Sequence, residues 1–216
     1  MSINKTYAVF GLGRYGQAVA MELANSGADV LAVDTDQNLV NAAAAYIPLC
    51  KCADVTDAEV LKNLGISNVD VVIIAMANSL EASVMAVMLC KEAGVKTVIA
   101  KCSSEMHRKL LLKVGADKVV FPESESGIRL AKNLLSAGFV DMIELAGDVS
   151  LLELDVRPEW VGKSLIELNL RRKYDINVVA IRRGNNVQVN IDPTAPLEAD
   201  MELVIIANRN KLSRLK

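Results

Sequence analysis

Aromatic rings are scarce in this chain of 216 residues: three Phe, four Tyr and one Trp make up 4% of it. Few rings mean no row of stacking platforms for bases, and a net charge of −2 supplies no field for a phosphate backbone, so nucleic acid is not an expected partner. Histidine occurs once, at His107 beside Arg108 and Lys109, where a solvated or locally hydrogen-bonded role is expected rather than catalysis. No apolar run reaches the roughly 18 residues of a membrane span. Lys5 precedes only a short apolar run that Gly11 interrupts, which is not a signal-peptide pattern, so a cytosolic, soluble chain is expected. Cysteines in such a compartment stay reduced. Cys50, Cys52, Cys90 and Cys102 include no CxxC pair and have no companion histidine, and read as small buried residues without metal chemistry.

What is present is apolar and ordered: 52% hydrophobic residues and a positive mean hydropathy are ample for a core. The chain is organised around Tyr7 to Asp36, YAVFGLGRYGQAVAMELANSGADVLAVDTD. An apolar run to Phe10, glycines at 11, 13 and 16, an amphipathic segment with Ala18, Val19, Leu23 and Ala24, and a second run at Val30 to Val33 read as strand, glycine turn, helix, strand. Gly11 permits the tight turn, Gly13 lets the backbone approach a diphosphate, and Gly16 lets the helix pack closely on the sheet; the helix N-terminus offers amides to anionic oxygens. Asp34, eighteen residues past Gly16, can accept ribose hydroxyls and repels a 2′-phosphate, which disfavours NADP. The fingerprint reports adenosine ribose and phosphate, which NAD, ATP, ADP and AMP share.

The same alternation continues. Helices are expected over 37–45, 57–64, 80–93 and 105–114, and strands over 47–53, 69–75, 97–101 and 118–121, giving an α/β, doubly wound, Rossmann-like parallel sheet with its ligand at the carboxyl ends of the strands. Those ends collect Asp34 and Asp36, Asp54 and Thr56, Ala77, Asn78 and Ser79, Lys101, and Glu123. Each has a plain alternative: Asp57 and Ser79 as helix caps, Lys101 as a solvated cation, Glu123 in the first turn of the helix after Pro122. Together with the glycine loop they outline one pocket, in which the Arg14 guanidinium offers a bidentate partner to terminal phosphates. A proton-handling group and a second substrate domain, as hydride transfer needs, are not visible.

A helix over 125–136 carries a broad apolar face of Ile128, Leu130, Ala131, Leu134 and Leu135, suited to a second subunit as well as its own domain. Residues 140–146 read as a further short helix, and Gly138 and Gly147 punctuate a boundary. The expected division is a nucleotide domain over 1–137, a linkage over 138–148 and a second, smaller α+β domain over 149–216. The latter has strands at 151–156, 178–181, 187–191 and 203–207 and a helix over 164–174. From Asp148 onward eleven Lys or Arg face ten Asp or Glu, so no general basic face arises, and Arg171, Arg172 and Lys173 complement a helix end or hold an anion.

FGLGRYG, LAVD, KCADVTDAEVLKNLGI, VIIAMANSLEASV, VIAKCSSEMHRKLLLKVGADKVVFPE and SLIELNLRRKYDINVVAIRR together resemble the regulators of potassium transport of the Ktr and Trk type, an RCK (KTN) domain followed by a TrkA-C domain. With one copy of each domain the chain is more similar to the Ktr regulator than to the tandem Trk form. The resemblance implies ATP or ADP on Gly11, Gly13 and Gly16, Arg14 at the terminal phosphates, and Asp34 and Asp36 at the ribose, with Lys101 in the matching fifth-strand position. It further implies a divalent cation, Mg or Ca, at Glu123, and cyclic di-AMP near Arg171, Asn177 and Pro193. It implies dimers assembled into an octameric ring against the inner face of the cell membrane, gating a potassium-conducting membrane subunit through binding energy, without turnover. Two departures stand out: Asp175 and Ala199 occupy positions where relatives carry glycine, Asp tolerating a left-handed turn and Ala less so. The competing readings are an NAD-dependent oxidoreductase and an NAD-responsive regulator of the same fold.

Overall fold

Six parallel strands build the first sheet of the computed structural model, which describes residues 5–135, 139–146 and 148–208. They are β1 (Thr6–Phe10), β2 (Asp29–Asp34), β3 (Leu49–Cys52), β4 (Val71–Ile74), β5 (Thr97–Lys101) and β6 (Lys118–Val120), in the order β3-β2-β1-β4-β5-β6. The chain steps outward from β1 to β3, returns to the other side of β1 as β4, and steps outward again. The order reverses at β1 and β4, where a doubly wound sheet opens its crevice.

Residues alternate between two cores. Ala8 and Phe10 of β1 join Val72, Ile74, Val98 and Ala100 under the helices α3 (Ala58–Asn63), α4 (Leu80–Glu92) and α5 (Glu105–Lys113). Val9 joins Val30, Ala32, Val71 and Ile73 under α1 (Arg14–Asn25) and α2 (Gln37–Ala43). Strands covered on both faces need no polar alternation, which explains the unbroken VVII of β4, buried throughout. The helices begin where the caps demand: Asp36, Asp57, Ser79 and Ser104 each accept a first-turn amide.

The described residues divide into two compact units that part between Glu123 and Ser124, within α6 (Pro122–Leu135). The second unit is an antiparallel sheet in the order β10-β9-β11-β8-β7, with β7 (Phe139–Ala146), β8 (Val149–Asp155), β9 (Ile176–Arg183), β10 (Asn186–Gln188) and β11 (Glu202–Asn208). Leu152, Leu154, Trp160, Leu170, Leu203 and Ile205 form its core.

Residues 140–146 are therefore strand, not the expected short helix: β7 pairs antiparallel with β8, Met142 opposite Leu152 and Ile143 opposite Leu151, and that ladder overrides an ambiguous local pattern. Gly138 and Gly147 lie outside the described residues, as does the end of the expected helix at Ser136. The helix expected over 164–174 is two, α7 (Leu165–Leu168) and α8 (Leu170–Tyr174), broken by Asn169 in the left-handed region with φ 47°. Asp175 is left-handed too, with φ 58°, as the departure from glycine anticipates. Ala199 is not: among the described residues Asn169 and Asp175 are the non-glycine positions with positive φ, so no strain attaches to Ala199.

Candidate functional site

A cleft of ≈ 830 Å³ opens at the carboxyl ends of β1, β2, β4 and β5. Gly11, Gly13, Arg14, Asp34, Ala77, Asn78, Lys101 and Glu123 of the expected set line it. Gly11 has φ 89°, and a Cβ there would sit 3.1 Å from the amide of Met76. Gly16 is buried with its Cα facing the loop: a Cβ would stand 1.8 Å from the Gly11 carbonyl oxygen. Its role is close packing of α1 on the loop rather than lining. Gly13 is different again, because a Cβ there would meet nothing within 4 Å on the protein side. It is also the N-cap of α1, and makes no side-chain cap, so the amides of that first turn carry no capping oxygen.

Asp34 organises the loop. Its carboxylate accepts the Leu12 amide at 2.6 Å and the Asp36 amide at 2.9 Å, binding the end of β2 to the glycine turn and to the start of α2. Lone pairs on both oxygens remain for further donors. Asp36 and Asp54 do not line the cleft. Asp36 caps α2 by accepting the Asn38 amide, and Asp54 accepts the amide and hydroxyl of Thr56, which hold its carboxyl below the usual range. Both hold their own turns, Asp36 at the start of α2 and Asp54 with Thr56.

On the opposite wall the Lys101 ammonium meets the Glu123 carboxylate at 2.6 Å, and lies 5.6 Å from the centre of the Tyr15 ring. The Lys101 side chain is 16% exposed, so it is not the solvated cation of the plain reading; Glu123 is 63% exposed and sits in the first turn of α6. The ammonium lowers the Glu123 pKa. Among the described residues no group of three His, Cys, Asp or Glu is placed to hold a metal ion.

Sequence reasoning missed Tyr15, Ala18, Leu39, Ala75 and Met76 as lining residues. Tyr15 and Ala18 lie within the fingerprint helix, whose cleft-facing side follows from the spacing after Gly13. Leu39, Ala75 and Met76 carry no chemical signal and line the cleft by topology alone.

His107 is buried, 2% exposed, which overturns the solvated half of its expected role and leaves the hydrogen-bonded half. Its Nδ1 accepts from the Ser103 amide, so Nε2 carries the proton and donates to Ser83 Oγ at 2.8 Å, whose own hydroxyl donates to the Leu80 carbonyl. Burial depresses its pKa. Of the cysteines, Cys90 and Cys102 are buried, burial pushing the Cys90 thiol up to about 12, whereas Cys52 is exposed on the edge strand β3, contrary to the expected burial.

In the second unit a cavity of ≈ 510 Å³ is lined by Arg171, Arg172 and Asn177 with Ile166, Leu170 and Ile176 among its apolar walls. Pro193 is not on the wall, but its carbonyl accepts the amide of Ile166, which is.

A TrkA-N domain model matches residues 7–122 and a TrkA-C domain model residues 150–216. The chain is 37% identical over 214 residues to the Ktr system potassium uptake protein C of Bacillus subtilis, covering 99% of this chain and 97% of that protein. It is 33% identical to the Ktr system potassium uptake protein A of Vibrio alginolyticus, covering 97% and 96%. Among solved structures, the GsuK RCK domain has a TM-score of 0.53 at 20% identity over 99% of this chain, which spans 46% of that one. The GsuK channel bound to NAD gives 0.53 at 20%, over 98% of this chain and 38% of that one.

Proposed function

The chain belongs to the family of Ktr and Trk potassium uptake regulatory subunits, a TrkA-N domain followed by a TrkA-C domain, and from there we propose that it is a nucleotide-biased gating subunit without turnover. ATP or ADP occupies the cleft at the carboxyl ends of the strands, its phosphates on Gly11, Gly13 and the first turn of α1, its ribose at Asp34. Arg14 meets the terminal phosphates; Gly16 holds the loop against the helix. Ala77, Asn78 and Lys101 form the remaining wall. The observation that carries this reading is the Asp34 carboxylate, already holding the glycine loop at Leu12 and keeping acceptor capacity for ribose hydroxyls.

A divalent cation at Glu123 would find one carboxylate already paired with Lys101, so it would draw its other ligands from phosphate and water. Cyclic di-AMP is the second ligand of the proposal, in the cavity of Arg171 and Asn177, where two guanidiniums suit phosphates and apolar walls suit bases. Sensing falls to the first unit, up to Glu123, and β7, inside the expected linkage over 138–148, belongs to the sheet of the second unit. Dimers assemble into an octameric ring at the inner face of the membrane, and the exposed Ile128, Leu130 and Leu134 of α6 are apolar surface for that assembly. The ring acts on a membrane potassium-conducting subunit. ATP and ADP bias its shape only through contacts that differ between them.

Thermal stability of the purified chain with ATP, ADP, NADH, NADP and cyclic di-AMP tests the reading, since a ligand of the folded state raises the melting temperature. Stabilisation by ATP and ADP that falls about tenfold in apparent affinity in Arg14→Ala supports it. Stabilisation by NADH alone, indifferent to Arg14, would replace it with an NAD-responsive regulator or an oxidoreductase.

A further inference from the structure

We propose that Lys101, Glu123 and Tyr15 form a charge-reading latch: a ligand phosphate takes the Lys101 ammonium from Glu123, and the released carboxylate registers the ligand's charge at the start of α6. The latch rests on the nucleotide reading above.

Three elements meet at one ammonium. Lys101 closes β5, Tyr15 stands in the first turn of α1, and Glu123 in the first turn of α6. The two partners of Lys101 differ in kind. Tyr15 covers the flank of the cation, its ring centre 5.6 Å away, an attraction that holds a cation without using its hydrogen-bond donors. Glu123 takes a donor, at 2.6 Å, but its own side chain is 63% exposed against 16% for Lys101. When an anion enters, the covered, ring-backed lysine stays and the solvated carboxylate moves, because an exposed carboxylate regains water at little cost. The cleft already contains Lys101, Glu123, Arg14 and Gly13 on its walls, so the competing anion and Glu123 address the same ammonium.

The position of Glu123 gives the exchange a consequence. A freed carboxylate in a helix's first turn still favours the dipole there, so it has a second resting state rather than an unpaired one. The chain's two compact units part immediately after this residue. Adenosine, lacking phosphate, would leave the latch shut, and each added phosphate charge would compete harder for Lys101. That is the differential contact a ligand needs to shift a two-state element.

Calorimetric titration of the full chain in EDTA at low salt, with ADP and with adenosine as probes, tests the latch. Glu123→Gln and Glu123→Ala should each bind ADP about three- to fivefold more tightly than wild type, with adenosine unchanged. Tyr15→Leu, which removes the ring beside the ammonium, should bind ADP about threefold more weakly than wild type. Unchanged or weaker ADP binding by both Glu123 variants, with wild type binding normally, overturns the latch alone. Failure of wild type to bind ADP overturns the nucleotide reading and the latch with it.

Discussion

Asp34 receives the Leu12 amide at 2.6 Å, so a side chain at the end of β2 fixes the backbone of a glycine loop twenty-two residues earlier. The acid of the fingerprint is thus a structural strut before it is a ribose ligand. Asp34→Asn keeps the size but turns one acceptor into a donor, leaving either the Leu12 or the Asp36 amide unanswered. A loss of about 1–2 kcal/mol in unfolding free energy follows, together with a smaller handicap for NADP relative to ADP. Denaturant titration and ligand-induced melting shifts check both; an undiminished discrimination against NADP would remove Asp34 from the ribose site.

The two glycines flanking Arg14 should fail differently. In Gly16→Ala the new methyl meets the Gly11 carbonyl, a backbone atom that cannot step aside, and the fold loses about 3 kcal/mol or more. Gly13→Ala meets nothing on the protein side and its φ of −63° suits alanine, so its unliganded stability stays within about 1 kcal/mol. Its methyl stands instead where the diphosphate would approach, and ADP affinity should fall at least about tenfold. Wild-type ADP affinity in a folded Gly13→Ala protein would place the phosphates elsewhere.

Acid should weaken the first unit through His107. Its pKa lies below the ordinary 6.5 because burial penalises the charged ring. The unfolded chain therefore binds the proton first, and stability is lost as pH falls below about 6.5 toward the lower folded value. Between pH 7.5 and 5.5 the melting temperature should fall through this residue, and the slope should flatten in His107→Gln. An equal slope in both proteins would show that other groups carry the dependence.

The readable part of this chain was whatever one segment declares by itself. The helix caps Asp57 and Ser79, the strand runs of the first sheet and the left-handed tolerance of Asp175 follow from local chemistry, and appear as such. What long-range pairing decides was not readable. The stretch at 139–146 has apolar residues that fit either period, and only its ladder with β8 makes it a strand. Asn169 breaks a pattern that otherwise continues from Leu165 to Tyr174. Burial of His107 depends on Ser83, twenty-four residues away on α4. The cleft divides in the same way: Gly11, Arg14 and Asp34 announce themselves by type and spacing, whereas Met76 and Leu39 arrive by strand order.

That strand order bears on how the chain is made. Every letter of the fingerprint has been synthesised by Asp36, yet the turn at Gly11 closes against Ala75 and Met76, and the Ala75 amide reaches the Phe10 carbonyl at 2.7 Å. β1 acquires its inner neighbour only when β4 follows, more than sixty residues on. A nascent chain or a truncated fragment ending near the second strand would carry a perfect nucleotide motif and lack one side of its binding loop. Ligand can therefore assist completion of the first sheet but has no finished loop to grip until β4 is in place.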